Sequence, residues 1–280
     1  MNNLEWELIY VLPNLELEEP FESEYMAIVP FNDKRLKKIR SINQPQRKLL
    51  TGFRTITGKR VKPTALIWRT EAPKSVKRSE AVVAFRNSLA ISCLLYNCAI
   101  SANSNNLHGP IFSDHFDFSP VTIGRGGGFH ISSPAIEAYG PKLVKFLGLT
   151  YPHLPHYRLL KTKPDKFLAK KIVDKWRERF VSPAQDSWDT RLLFRSLEVA
   201  YQAMVMPFHN YSSLFEYGTN LAVWISTLEI LFHKKPGDSV NLRMVCDHLG
   251  RHKWGLKRLR GKRFKAYLWM RALTRSFIPL

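Results

Sequence analysis

The sequence predicts an α+β protein: a small mixed α/β part over residues 1–150, followed by an all-α helical bundle over residues 165–280. Three observations predict it. Short aromatic and β-branched runs punctuated by Pro and Gly occupy the first half, as strands do. Beyond residue 165, apolar residues recur at three- and four-residue steps, as on helices with one buried face. Between the two, Gly148 to Pro164 carries Pro152, Pro155 and Pro164 without periodicity, which sets the expected domain boundary there.

The elements follow in order. Glu5 to Leu12 is rich in aromatic and β-branched residues and stops at Pro13, so it reads as a strand; Tyr25 to Val29 and Ala65 to Trp68 read the same way. Lys34 to Leu50 is polar with scattered apolar residues, a pattern that fits surface helix or loop. Ser79 to Ile100 is a long helix with Val82, Phe85, Leu89 and Leu94 near one side and no Pro or Gly inside. Ser101 to Asn106 breaks it. Val121 to Ile123 and Phe129 to Ile131 flank Gly124, Arg125, Gly126, Gly127 and Gly128, which reads as a hairpin turn. A phosphate-binding loop would need a following helix and a Lys-Ser/Thr pair, and Phe129-His130 supplies neither.

The second half reads as four helices. Lys166 to Phe180 places Leu168, Ile172, Val173, Trp176 and Phe180 on one stripe. Thr190 to Met206 does so with Leu193, Leu197, Ala200 and Met204. Ser212 to His233 carries Leu214, Leu221, Trp224, Ile225, Leu228 and Leu231. Val240 to Leu249 is entered from Asp238-Ser239 and closed by Gly250. Helices in such close succession favour an up-and-down bundle.

Hydrophobic residues make up 45% of the 280 positions, enough to fill a core. With 3 Cys the chain is no disulfide scaffold, and a reducing, cytoplasmic setting is expected. Met1 to Glu24 lacks the basic and apolar regions of a secretory signal. The longest apolar run, Leu89 to Ile100, falls short of the ~18 residues a membrane span needs, so no membrane partner is expected. Cys93 and Cys98 stand roughly 140° apart on a helix and read as small buried thiols, not as zinc ligands. His153 and His156 read as polar groups among prolines. No metal or other cofactor is expected, and no Gly-x-Ser-x-Gly nucleophile elbow occurs.

The 43 Lys and Arg against 23 Asp and Glu give a net charge of +20, unevenly spread. Met1 to Glu24 has seven acidic residues and no Lys or Arg, whereas Arg251 to Leu280 has ten basic residues and no acidic one. From Phe31 to Arg86 only Asp33, Glu71 and Glu80 oppose a dense series of cations. One reading is a surface for RNA or another polyanion. The other is an acidic leader packed on a basic face, with the remainder solvated. Arg251, Lys253, Trp254, Lys257, Arg258, Arg260, Lys262 and Arg263 interleave cations with an aromatic ring, which suits nucleic acid. Leu256, Leu259 and Phe264 in the same stretch equally suit packing on the bundle.

The run Arg195 to Ala203, then Tyr217-Gly218 and Leu221 to Leu231, resembles the helical core of Apea-like HEPN proteins, over about Asp165 to Leu280. The resemblance implies an all-α, HEPN-like domain, usually a homodimer, whose Arg-x4–6-His motif cleaves RNA without metal. Ribose 2′-OH attack on the adjacent phosphate needs a His for proton transfer and an Arg for the developing charge. Arg243 and His248 fit that spacing on the fourth helix, and Arg125 and His130 fit it across the glycine turn. Chance supplies as many such spacings. Met244 departs from the polar residue usual after the Arg, and Arg243 also suits an i,i+4 pair with Asp247. No His follows Arg271 or Arg275, which reads as a C-terminus altered from the family pattern. The expected function is therefore a nucleic-acid-linked HEPN-like protein, either a metal-independent ribonuclease or a degenerate RNA-binding relative. The alternative is a non-catalytic interaction or dimerisation module with a basic surface.

Overall fold

Continuous apolar runs in the central strands build a four-stranded antiparallel sheet, and both of its faces are covered. A computed structural model describes residues 5–54, 58–103, 115–123, 128–132, 137–140, 160–206 and 213–233. In chain order the first elements are β1 (Trp6–Leu12), β2 (Leu15–Leu17), β3 (Phe21–Glu22), β4 (Met26–Val29), α1 (Lys34–Ile42), α2 (Gln44–Gly52) and β5 (Thr64–Arg69). Then come α3 (Ser79–Asn103), β6 (Val121–Ile123), β7 (Phe129–Ser132), β8 (Glu137–Gly140) and β9 (Leu160–Thr162). The last described helices are α4 (Lys166–Phe180), α5 (Trp188–Val205) and α6 (Leu214–Leu231). The central sheet has the order β1-β5-β4-β3.

Strand parity sorts the core into two clusters. Leu12, Met26, Ile28 and Leu66 face the layer of α3, α4 and α5. Val11, Ala27, Val29, Ala65 and Ile67 face α1, α2 and the β6–β7 hairpin. A bulge between Leu8 and Tyr10 shifts the parity of β1, so Trp6 and Leu8 join Val11 on the second side. β6, β7 and β8 pair antiparallel in a sheet of their own, as expected for the strands on either side of the glycine turn.

Described residues on either side of Gly148 to Pro164, the boundary expected from the sequence, belong to one buried cluster. β9 pairs in parallel with β2, and the Asp165 N–H donates to the Ser92 carbonyl at 2.8 Å. Phe21, Phe85, Trp176, Phe180 and Phe194 form a chain of rings with successive centroids 4.8, 4.9, 5.6 and 5.6 Å apart. Trp176 is fully buried and donates its indole N–H to the Ala81 carbonyl at 3.0 Å. Proline content in that stretch signals a loss of periodicity and carries no information about which surfaces meet.

The helices expected from 79, 166, 190 and 212 are present as α3 to α6. α5 and α6 form an antiparallel hairpin. Ser196 Oγ donates to the Thr227 carbonyl at 2.8 Å near one end, and Asn220 Nδ2 donates to the Ala203 carbonyl at 2.8 Å near the other. A mixed α+β architecture is what the described residues have. The helix expected over 240–249 lies outside them.

Candidate nucleic-acid interface

Lys34 to Leu50, undecided from its pattern, folds as two short helices with a single residue between them. Asp33 caps α1 by accepting from the Arg35 N–H at 2.8 Å. Asn43 closes α1, donating its N–H to the Ile39 carbonyl at 3.0 Å, and opens α2, its side chain accepting from the Gln46 N–H at 3.1 Å. Pro45 sits in the first turn of α2, where its missing N–H costs nothing.

Burial then fixes which side chains point outward. Leu36, Ile39, Leu49, Leu50 and, just past α2, Phe53 are all buried against the sheet. Lys34, Lys37 and Lys38 on α1, and Arg47 and Lys48 on α2, are left exposed. Beyond α2 the chain turns at Gly58, whose φ of 79° belongs to the left-handed region that glycine enters freely. Arg54 and Arg60 form a bridge, Val61 returns to the core, and Arg60 and Lys62 stay exposed at the same end. From Lys34 to Lys62 the chain carries eleven Lys and Arg and no Asp or Glu.

The described ion pairs of the acidic leader reach other elements and Arg35. Glu5 pairs with Arg69 at 3.1 Å, Glu19 with Lys166 at 3.1 Å, Glu24 with Arg177 at 3.3 Å, and Glu16 with Lys161 at 4.0 Å. Glu22 takes Arg35 at 2.8 Å, the α1 cation that also reaches Asp33 at 3.0 Å. Burial works against the charge on Asp33, but the Arg35 side chain and N–H hold its carboxyl below the ordinary range. Burial also draws Arg40 downward; its guanidinium lies 3.9 Å from the Phe31 ring centroid and donates to the Phe31 carbonyl at 3.0 Å. Among the described residues, no ion pair engages Lys34, Lys37, Lys38, Arg47, Lys48, Arg60 or Lys62. These cations therefore form an electropositive face without an ion pair among the described residues.

A second concavity, of about 710 Å³, lies between the β3–β4 hairpin and α4 and includes Trp6, Glu22, Glu24, Arg35, Arg69 and Arg177. Its guanidinium groups are held by Glu22, Glu5 and Glu24. Opening it to an anion would break those pairs. Asp117 joins the layers in another way, accepting from Tyr201 Oη at 2.6 Å with Arg86 Nη1 at 3.6 Å. Arg86 lies 4.0 Å from the Tyr201 ring centroid, so this cluster is closed on itself.

Arg243, His248, Arg251, Lys253, Trp254, Lys257, Arg258, Arg260, Lys262 and Arg263 lie outside the described residues, as does Arg125. His130, on β7, has its Nε2 3.3 Å from Glu137 Oε1 across the hairpin. Among the described residues no group of His, Cys, Asp and Glu could hold a metal, and no helix is long and apolar enough to cross a membrane. Burial pushes the Cys93 thiol up to about 12 despite a hydrogen bond to Thr162, which makes it inert packing. The α1–α2 face is what the sequence reading left unassigned, although it counted the cations. Asn43 ahead of Pro45, with Leu36/Ile39 and Leu49/Leu50 at helical steps on either side, is the signal that could have found it.

Comparison with protein-family models, with curated proteins and with solved structures gave no match.

Proposed function

We propose that this protein binds nucleic acid, with RNA as its ligand, and that phosphates sit on the outer face of α1 and α2. One observation carries the reading: exposed cations on two core-anchored helices, in a segment without a carboxylate, while the described ion pairs of the acidic leader reach other elements or Arg35. Phosphate neutralisation by such a face gives affinity without sequence preference. A gel-shift titration against RNA at two salt concentrations tests it. A shift at low salt that weakens at higher salt is expected, and no shift at low salt removes the reading.

The resemblance over α5 and α6 adds a HEPN-like, metal-independent ribonuclease to the proposal. There Arg243 would meet the phosphorane charge and His248 would move the proton. Cleavage that survives His248→Ala excludes that residue. A second reading, an interaction or dimerisation module, has one observation in its favour. Leu214 and Phe215 at the start of α6 are 90% and 81% exposed. A dimer in sedimentation that Leu214→Ser with Phe215→Ser dissociates, with RNA binding kept, would assign that end of α6 to self-association.

A further inference from the structure

We infer that the α1–α2 face takes double-stranded RNA by its sugar–phosphate backbone and not single strands by their bases. The inference rests on the RNA reading above and adds the form of the ligand. Single-strand binders pair a basic groove with exposed rings on which successive bases stack. Between Lys34 and Lys62 the only aromatic residue is Phe53, and it is 3% exposed. Phe31 beside the face is half-buried, with the Arg40 guanidinium 3.9 Å from its centroid, and the other ring there is Trp6, which shares a hollow of about 240 Å³ with Glu5, Lys34 and Lys38. Trp6 is buried, and the guanidinium groups of Arg35 and Arg69 lie 5.2 and 5.1 Å from its centroid. No base can stack there without displacing them.

Rigidity points the same way. Each nine-residue helix is about 13 Å long and is pinned by fully buried Leu36, Ile39 and Leu50. Such a face cannot wrap a flexible strand, which would itself lose freedom on binding. A duplex arrives ordered and presents its phosphates in fixed rows. Double-stranded RNA is recognised in this manner, by shape and by contacts to phosphates and ribose 2′-hydroxyls. Ser41 and Gln44, exposed at the corner between the helices, place polar side chains beside the cations for those hydroxyls. A lipid surface fits poorly, because Ile42 is the one exposed large apolar side chain of α1 and α2.

Fluorescence anisotropy with the full chain decides the matter. The probes are a mixed-sequence 20-base-pair RNA duplex, each of its strands alone, the matching DNA duplex and phosphatidylserine vesicles. Duplex RNA is expected to bind at least tenfold more tightly than either strand, and alike for unrelated sequences. Strands bound as tightly as the duplex overturn the inference and leave the RNA reading standing. Absence of binding to any RNA removes the reading itself. Tighter binding to duplex DNA or to vesicles overturns RNA duplex as the occupant.

Discussion

Replacing Lys37, Lys38, Arg47 and Lys48 together with Ala removes four exposed cations from α1 and α2 while leaving Leu36, Ile39, Leu49 and Leu50 in the core. If each cation meets one phosphate, each releases counterions, and on a duplex the slope of log K against log salt is about 0.9 per contact. Losing four contacts should flatten that slope by about 3.6. Over a fourfold rise in salt, the native chain then loses about 150-fold in affinity through these residues alone, a loss absent from the variant. The assay is anisotropy with the RNA duplex from 50 to 200 mM salt, with circular dichroism to confirm an unchanged fold. Net charge is controlled by a second variant, in which Lys74, Arg78, Lys170 and Lys171, all exposed and outside the face, become Ala. It should keep the native slope. Equal flattening in both variants, or none in the first, would refute the assignment of phosphates to this face.

Trp176→Ala should destabilise the protein by about 3–5 kcal/mol, because the ring is fully buried between Phe85 and Phe180. Its denaturant unfolding, followed by far-ultraviolet dichroism and tryptophan fluorescence together, should remain one transition; two separated transitions would contradict a core shared by α3 and α4. In a chain with Cys98→Ser and Cys246→Ser, Cys93 should react with a thiol reagent roughly a thousandfold more slowly than an exposed thiol. Its rise from 9.0 to about 12 lowers the thiolate fraction by that factor. Labelling at the exposed-thiol rate would show the site open. Asp33→Asn keeps a capping oxygen but loses the charge. The folded carboxyl of Asp33 lies below its ordinary 3.8, so its stabilisation is present above that value and fades as pH falls through the folded value. The gap in denaturation midpoint between native and Asp33→Asn should therefore hold steady down to about pH 4 and shrink only below it. A gap that stays constant well below about pH 4 would place the effect in packing instead.

How much could be read in advance depended on element length and on what periodicity can report. α4 spans fifteen residues with five buried positions on one stripe, and its expected limits match those observed. β3 has two residues and β2, β8 and β9 three or four, too few to establish an alternation. The shared core was invisible for a different reason. The aromatic chain joins Phe21 to Phe194 through pairs far apart in sequence, and a composition break between 148 and 164 says nothing about long-range contacts. At the candidate interface the cations were countable, but their sidedness was not, because it depends on Leu36 and Ile39 packing under the sheet.

Sidedness is what turns charge into a binding argument. A net charge of +20 spread evenly would attract any polyanion weakly from every direction. Here the ion pairs sort the cations into two populations. In one, Glu19 and Glu24 reach Lys166 and Arg177 of α4, and Glu16 reaches Lys161 of β9, so these cations and carboxylates neutralise one another. In the other, Asp33 and Glu22 converge on Arg35 and, among the described residues, leave the outward cations of the same helix without an ion pair. Glu5, Glu16, Glu19, Glu22 and Glu24 are thus held by the fold in other pairs, and their release to the face would require those pairs to break. Affinity alone cannot distinguish this arrangement from a diffuse positive charge, since both bind RNA at low salt. The salt slope can, because it counts the phosphates engaged, and only a sorted face makes that count depend on which four cations are removed.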